Sequence, residues 1–348
     1  MNNSFIQSIW KLNKDQILSR AARSPKDLVT PSGILVFIVT SRCNFRCRHC
    51  LRNFDDPKDL PLDLAQRILK EAKTFNYTTI CLTGGEPLVY PYLEPLCEFM
   101  AQENLRFSIV TNGYLFKEHI DLLVKYRRQL LSVAFSLEHT NPQKHDAQRQ
   151  KGSFDKLLEA FSLCRAHRIP FKIVCAIGTH NLDNIFDMAL FGKRKGAVSM
   201  AMTTILPCPK SQDNSLVLNA RQREELFTLL LGLPKIVKIP ITIAADIKAN
   251  NRFPLCNPVT LCEVAVDPDA NIVHCCEMSN FDNVSIHKKA IIASLKEQSF
   301  GEALKKVSEH FHRFNCQRID EYQKLTDPSQ IDFTSCFYCV ARLADRTA

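Results

Sequence analysis

The segment ILVFIVTSRCNFRCRHC, residues 34–50, places three cysteines directly behind a short apolar run. The cysteines, Cys43, Cys47 and Cys50, are separated by three and then two residues. The run is rich in β-branched residues, so it predicts a strand buried on both faces. The segment therefore predicts a strand that carries a metal-binding loop at its carboxyl end.

Short β-rich runs alternate with amphipathic stretches throughout residues 34–207. The stretches space their apolar residues at three and four, which is the period of a helix. Strands joined by helices in this way predict an α/β fold with a parallel sheet, either open or curled into a barrel. Six strands are predicted, at residues 34–40, 78–83, 106–111, 130–137, 170–177 and 198–206.

Glycine-rich and polar motifs follow these strands rather than precede them. GGEP (84–87) follows the second strand, NG (112–113) follows the third, and SLEH (136–139) closes the fourth. The carboxyl ends of parallel strands meet at one edge of a sheet, so these motifs should lie beside the cysteine loop. The sequence thus predicts one active site at that edge.

The composition indicates a protein with a sizeable core and with metal or redox chemistry. Of 348 residues 45% are apolar, yet no apolar run approaches the roughly 20 residues that span a bilayer. The start, MNNSFIQSIWKLNKD, lacks the features of a secretory signal, so we expect a cytoplasmic protein without membrane contact. In a reducing cytosol, fifteen cysteines indicate metal or redox sites rather than disulfides. The net charge of +9 would suit an acidic peptide, but no dense basic tract is present and a nucleic-acid partner is not expected.

Two kinds of site would use three cysteines in one loop. A structural zinc ion takes four ligands, and His49 could supply the fourth. A four-iron cluster held by three thiolates would instead leave one iron free to bind a substrate. The cysteines alone do not decide between these sites.

The combination of motifs resembles the radical S-adenosylmethionine (SAM) superfamily. The spacing of Cys43, Cys47 and Cys50, the aromatic His49, and LTGGEPLVY after the next strand carry the resemblance. It continues through IVTNGYLF and VAFSLEHTNPQKHDAQRQKGSFDKLLEAF. The resemblance favours the cluster over zinc and implies a partial (β/α)6 TIM-like barrel.

The resemblance also implies roles for single residues. The three cysteines would hold a [4Fe–4S] cluster, and the amino and carboxylate groups of SAM would chelate its open iron. One electron from an external flavodoxin- or ferredoxin-type reductant would then split SAM into methionine and a 5′-deoxyadenosyl radical, which takes hydrogen from a substrate. The other cofactor-binding candidates are Gly84, Gly85, Glu86, Pro87, Asn112, Ser136 and Arg149.

Physical reasons support these candidates. Glycines allow backbone carbonyls to approach the methionine ammonium, and Glu86 would add a negative partner. Pro87 would fix the exit of the turn. Ser136 and Arg149 are the candidates for the ribose and the carboxylate of SAM, although such residues are more often structural.

A second group of cysteines lies near the end of the chain. EVAVDPDANIV, residues 263–273, predicts a β-hairpin with cysteines at both ends, and Cys336 and Cys339 form a short-spaced pair. Four thiolates from these segments could hold structural zinc or a second cluster. The candidate ligands are Cys256, Cys262, Cys275, Cys276, Cys336 and Cys339.

The position of this group after the barrel resembles the SPASM and twitch extensions, which hold auxiliary [4Fe–4S] clusters. The resemblance implies one auxiliary cluster, held by Cys336 and Cys339 with two of the hairpin cysteines. The usual Asp-Gly of the hairpin turn is Asp269-Ala270 here, which predicts a different turn geometry. A second auxiliary cluster is not expected, because a full extension has four closely spaced cysteines and one more after a gap, whereas this chain offers Cys316, Cys336 and Cys339.

The predicted organisation has a lead-in at 1–33, the barrel at 34–207, a connecting helix and strand at 208–250, and a small cysteine-rich auxiliary-cluster domain at 251–348. Such an extension favours a ribosomally synthesised peptide as substrate, modified by cross-linking, thioether formation, epimerisation or dehydrogenation. The alternatives are the same chemistry on a small molecule, such as an aminosugar or cofactor precursor, and a non-catalytic iron–sulfur or zinc protein. Cys208, after the sixth strand, is either a hydrogen donor to a substrate radical or a packing residue.

Overall fold

The computed structural model describes residues 33–207, 214–244, 256–324 and 335–344. The predicted lead-in, apart from its last residue, and the predicted hydrogen donor Cys208 lie outside these ranges. In the described part of the chain, no helix combines the length and the apolar character needed to cross a membrane.

The six predicted strands are confirmed, and they pair in chain order as a parallel sheet. Their predicted ends agree with the structure to within two residues. The strands are β1 (Gly33–Thr40), β2 (Tyr77–Gly84), β3 (Arg106–Thr111), β4 (Leu130–Ser136), β5 (Phe171–Ile177) and β6 (Ser199–Thr204).

Helices cover the outer face of this sheet, as the apolar periodicity predicts. In β1, Leu35 and Phe37 join the large cluster that the helices bury, whereas Val36 and Ile38 point to the inside of the barrel. Alternate residues of β1 therefore pack into two different hydrophobic clusters. The helices of this part are α1 (Leu62–Thr74), α2 (Leu93–Gln102), α3 (Ile120–Lys125), α4 (Pro142–Gln148), α5 (Ser153–Ala166) and α6 (Ile185–Lys195).

The sheet continues beyond the six strands at one edge. Helix α7 (Ala220–Val237) leads into β7 (Ile241–Ile243), which pairs parallel with β6. The predicted connecting helix and strand are therefore present, and they add a further strand to the parallel sheet. Asn219 begins α7 with a capping box, in which its side chain accepts from the Gln222 amide and the Gln222 side chain returns the bond.

The predicted cysteine hairpin extends the other edge of the same sheet. Its strands are β8 (Glu263–Val266) and β9 (Asn271–Val273), which pair antiparallel, and β8 also pairs parallel with β1. The last strand, β10 (Ile291–Ser294), pairs with β9. The remaining helices of the described ranges are α8 (Val284–Ala290), α9 (Phe300–Lys324) and α10 (Ser335–Leu343).

The hairpin turn keeps a left-handed residue where glycine would be usual. Ala270 has a φ of 61°, and its amide donates to the Asp267 carbonyl over 2.9 Å. The Asp267 side chain accepts from the Asn271 amide over 2.8 Å. Alanine thus adopts the conformation that glycine favours, at some cost in strain. The different turn geometry predicted from Asp269-Ala270 is therefore not found at Ala270.

Candidate active site

One cavity of about 210 Å³ lies at the carboxyl ends of the barrel strands, as the sequence predicts. The three cysteines of the first loop, Cys43, Cys47 and Cys50, line it together with the GGE part of the GGEP motif. Residues at the ends of β5 and β6, Ala176 and Thr203, line the same cavity. The structure therefore brings together the two motifs that carry the resemblance.

The three thiols of the loop are free and half-buried. Burial raises the pKa of Cys43 to about 12 and that of Cys47 to about 11, although the nearby Arg149 opposes the change at Cys47. Burial also raises the pKa of Cys50. A bound metal group reverses this preference because its positive charge stabilises thiolates. Three close thiols facing one cavity fit a cluster held by three ligands.

The glycines of the GGEP motif are required by the path of the backbone. A Cβ on Gly84 would lie 2.2 Å from the Thr40 carbonyl oxygen, and a Cβ on Gly85 would lie 2.1 Å from that of Arg42. The amides of Gly85 and Glu86 donate to these same two carbonyls, each over 2.8 Å. The motif is thus bonded to the start of the cysteine loop, with its backbone at the cavity.

The Glu86 carboxylate links the end of β2 to the end of β3 through hydrogen bonds. Its carboxylate accepts from the Leu88 amide (3.1 Å), the Thr111 hydroxyl (2.7 Å) and the Asn112 amide (2.8 Å). Pro87 begins the short 3-10 helix Pro87–Val89, for which Glu86 is the N-cap. Three bonds leave about one of the four acceptor positions of a carboxylate for a ligand.

The other predicted cofactor residues have different surroundings. Asn112 lines the cavity, and its side-chain amide donates to Asn44 Oδ1 over 2.8 Å. Arg149 also lines it. Ser136 ends β4, but the described residues that line the cavity on that side are Arg149 and Ala176 rather than Ser136.

Glu138 is a site residue that no motif in the sequence predicted. It is fully buried, and its Oε1 accepts from Arg149 Nε (3.0 Å) and Nη2 (2.6 Å). His49 Nε2 lies 3.6 Å from the same oxygen. Burial alone would raise the pKa of Glu138, but His49 and Arg149 lower it to about 2. The only signal in the sequence was a carboxylate directly after a strand, in SLEH.

The segment after the cysteine loop is bonded to the C-terminal region. Arg52 Nη1 donates to the Glu277 carbonyl over 3.2 Å and to the Ser279 carbonyl. The Asn53 amide donates to the Asn280 carbonyl over 2.9 Å. Glu277 lines the cavity, so the C-terminal region contributes to the wall of the site.

Four of the six predicted auxiliary ligands share one buried environment. Arg318 is buried, and burial lowers its pKa, whereas the nearby Cys339, Cys256, Tyr338 and Cys336 oppose that change. Burial raises the pKa of Cys339, and Cys275 and Cys256 raise it further. A buried guanidinium beside cysteines fits an anionic group at this place.

Cys275 and Cys276 are neighbours in sequence but point in opposite directions. Cys275 is extended, with φ −161° and ψ 169°, so consecutive side chains alternate. Cys275 packs in the same apolar cluster as Cys336. Cys276 packs instead against Val36 and Ala265 inside the barrel.

The remaining cysteines of the group lie apart from this environment. Cys262 precedes β8, where its carbonyl accepts from the Ile34 amide over 2.9 Å. Cys316 is exposed, and its Sγ is 3.8 Å from His312 Nε2. Among the described residues, no group of three or more His, Cys, Asp or Glu side chains is close enough to hold a single metal ion.

Residues 37–191, which include the cysteine loop and the GGEP motif, match the family model of the radical SAM superfamily. The chain carries a radical SAM domain. Radical SAM domains use a [4Fe–4S] cluster and SAM, and Cys43, Cys47 and Cys50 are the residues that would hold the cluster here.

Curated relatives match the radical SAM part of the chain. The antilisterial bacteriocin subtilosin biosynthesis protein AlbA of Bacillus subtilis is 28% identical over 191 residues, 51% of this chain and 42% of AlbA. The AdoMet-dependent heme synthase of Methanosarcina barkeri is 26% identical over 189 residues, 53% of this chain and 54% of that protein. The matches thus span about half the length of these relatives.

The fold is similar to that of a larger protein of known structure. The crystal structure of Streptococcus suis SuiB bound to the precursor peptide SuiA has a TM-score of 0.65. The similarity covers 87% of this chain and 70% of SuiB at 13% sequence identity. At this identity it shows the shared fold alone, which extends well beyond the family match at 37–191.

Proposed function

We propose that this protein is a radical SAM enzyme that removes hydrogen from a ribosomally synthesised peptide. The observation that carries the proposal is the meeting of the three thiols and the GGEP motif in one cavity. When bound, the cluster would supply the electron that splits SAM into methionine and a 5′-deoxyadenosyl radical.

The protein's own residues would bind and orient SAM. The backbone of Gly84 and Gly85 and the remaining acceptor position of Glu86 would take the methionine ammonium. Arg149 would take the carboxylate, because Glu138 already holds its guanidinium at the cavity wall. Ser136 stays a candidate for binding the ribose of SAM. Asn112, at the rim of the cavity, stays a candidate for binding SAM.

We propose further that Cys256, Cys275, Cys336 and Cys339 hold one auxiliary [4Fe–4S] cluster. The support is their shared environment with Arg318, whose buried positive charge would balance part of the cluster's negative charge. The opposite direction of Cys276 and the position of Cys262 favour leaving both out of the ligand set. Structural zinc on the same four residues is the alternative.

The peptide substrate is supported by relatives and by charge. AlbA carries the name of a bacteriocin biosynthesis protein, and SuiB binds a precursor peptide. The net charge of +9 suits an acidic peptide segment. The proposal includes a flavodoxin- or ferredoxin-type reductant, a cytoplasmic location, and Cys208 as a hydrogen donor if the reaction is an epimerisation.

A small-molecule substrate is the second candidate. It is favoured by the similarity to a protein named as a heme synthase, which matches a similar share of this chain as AlbA does. With either a peptide or a small molecule, the reaction would begin with the cleavage of SAM and the removal of hydrogen from the substrate.

Anaerobic reconstitution tests the proposal. The full chain, with iron, sulfide, dithionite and SAM, should release 5′-deoxyadenosine. Cys47→Ala should abolish this release, whereas Cys316→Ala, which removes an exposed thiol, should not. A fully iron-loaded protein that forms no 5′-deoxyadenosine would leave only a non-catalytic binding role.

Mass spectrometry of candidate substrates after anaerobic turnover tests the substrate class. A peptide that loses two hydrogens would indicate oxidation or cross-linking. A peptide of unchanged mass that takes up deuterium from solvent would indicate epimerisation. Turnover of a small molecule alone would contradict the peptide proposal and leave the radical chemistry intact.

A further inference from the structure

His274 lies between the cysteine hairpin and the long helix α9. It directly precedes Cys275 and is only 2% exposed. Its Nε2 lies 3.3 Å from Cys339 Sγ, and its Nδ1 lies 2.9 Å from His310 Nε2. One imidazole therefore joins an expected cluster ligand to a second histidine.

When both imidazoles are neutral, only one arrangement of protons satisfies both contacts once Cys339 is a thiolate. A thiolate can only accept hydrogen bonds, so His274 must donate from Nε2. A neutral imidazole that donates from Nε2 accepts at Nδ1, so His310 must donate from its own Nε2. His310 therefore fixes the tautomer of His274 in which the proton points at the sulfur.

Packing holds the two rings in this geometry. The His274 ring contacts the rings of Phe311 and Phe314, with centroid distances of 5.0 and 4.8 Å. The His310 ring stacks on Phe314 at an interplanar angle of 15°. The His274 amide also donates to the Ala290 carbonyl over 2.8 Å. The donor is thus held in place before any cluster binds.

We propose that His274 donates a hydrogen bond to the Cys339 thiolate of the auxiliary cluster and raises the reduction potential of that cluster, with His310 as the positioning residue. One-electron reduction adds negative charge to a cluster and its sulfurs, so a hydrogen bond to sulfur stabilises the reduced state more than the oxidised state. This inference rests on the proposed auxiliary cluster with Cys339 among its ligands.

The test uses the full chain with Cys43, Cys47 and Cys50 all replaced by alanine, so that only the auxiliary cluster remains. Iron content and the electron paramagnetic resonance (EPR) spectrum report whether that cluster forms, and a redox titration followed by EPR gives its potential. If no cluster forms in this background, the proposed auxiliary cluster fails, and that failure is seen before any His274 variant is made.

His274→Phe in this background keeps a buried ring and removes the donor. We expect iron content to stay the same and the equilibrium constant for reduction to fall about tenfold, which is about 59 mV for a one-electron couple. An unchanged potential would overturn the inference. Loss of the cluster in His274→Phe would also overturn it, because it would make His274 a ligand.

Variants of His310 keep the proposal testable if His274→Phe does not fold. His310→Phe keeps the stack on Phe314 but cannot donate, so the potential should fall, whereas His310→Gln can donate and should restore it. His312→Phe, on the same helix but beside the exposed Cys316, is the matched control and should leave the potential unchanged. Equal potentials for all three variants would contradict the positioning role.

Discussion

Glu138 holds Arg149 through two hydrogen bonds that both end on one carboxylate oxygen. The remaining guanidinium nitrogen of Arg149, Nη1, lies 3.9 Å from Cys47 Sγ. The pair is buried, so each charge depends on the other. Glu138 thus positions a cation beside the cysteine loop without contacting the loop's thiols itself.

Glu138→Gln should strongly destabilise the protein. The change keeps the shape of the side chain but leaves the buried Arg149 charge without its partner, which costs about 3–5 kcal/mol. The free energy of unfolding, measured by urea titration, should fall by this amount. SAM binding should weaken as well, because the guanidinium is no longer fixed at the cavity.

Glu159→Gln is the control for this change. Glu159 pairs with Lys117 over 2.7 Å at the protein surface, where water and salt screen the charges. Its urea midpoint should match that of the wild type. If Glu138→Gln unfolds at the same urea concentration as Glu159→Gln, the buried pair does not have the role assigned to it.

The two adjacent hairpin cysteines should differ in their effect on iron content. Cys275→Ser removes a thiol from the environment shared with Cys339, so the iron and sulfide of the auxiliary cluster should be lost. Cys276→Ser changes a thiol that faces the barrel interior, so the iron content should stay at the wild-type value. The opposite result would assign Cys276 to the ligand set.

Gly85→Ala should damage the fold at the cavity. The new Cβ would meet the Arg42 carbonyl oxygen at 2.1 Å, and backbone cannot move aside as a flexible side chain can. We expect a loss of at least about 3 kcal/mol in the free energy of unfolding. Gly232→Ala is the control, because a Cβ there meets nothing within 4 Å inside helix α7 and should stabilise it, by about 0.5–1 kcal/mol. Equal stabilities would show that the backbone at Gly85 can relax.

Asp146 predicts a pH-dependent contribution to stability. Its carboxylate accepts from the Gly152 amide (2.6 Å), the Ser153 hydroxyl (3.0 Å) and the Phe154 amide (2.9 Å) at the start of α5. Burial raises its pKa, but these bonds together hold the pKa below the ordinary value of 3.8. A lowered pKa gives stability that is present above 3.8 and is lost as the pH falls through the folded value.

Asp146→Asn should therefore lower the free energy of unfolding at pH 7, measured by urea titration, by about 1 kcal/mol, because the amide is neutral and has only one oxygen to accept these bonds. The difference from the wild type should stay constant down to about pH 5 and shrink below about pH 4, as the wild-type carboxylate becomes protonated. A difference that persists unchanged at acid pH would mean that the charge does not contribute.

The strands could be predicted closely because each is a short run rich in apolar residues between stretches of helical periodicity. The end of α7 could not be predicted in the same way. Gly232 and Pro234 disfavour a helix beyond Leu231, but the helix continues to Val237. Leu233 and Val237 are buried, so packing outweighs the local preference of glycine and proline.

Site residues defined by motif could be predicted, whereas those defined by a distant partner could not. The cysteine loop and GGEP are visible as short patterns, and they meet because parallel strands share an edge. Glu138 acts through Arg149, and His274 lies against Cys339, which is 65 residues away in sequence. Periodicity and spacing contain no information about such pairs until the sheet brings them together.

The backbone hydrogen bonds between β8 and β1 join the strand before the first cysteine loop to the cysteine hairpin in one sheet. Residues Ile34 to Phe37 pair with Glu263 to Val266, so the spacing between the first loop and the hairpin is set by one run of backbone bonds. A hinge at this point would have to break these bonds and the adjoining core. Heating should therefore melt both regions in a single transition.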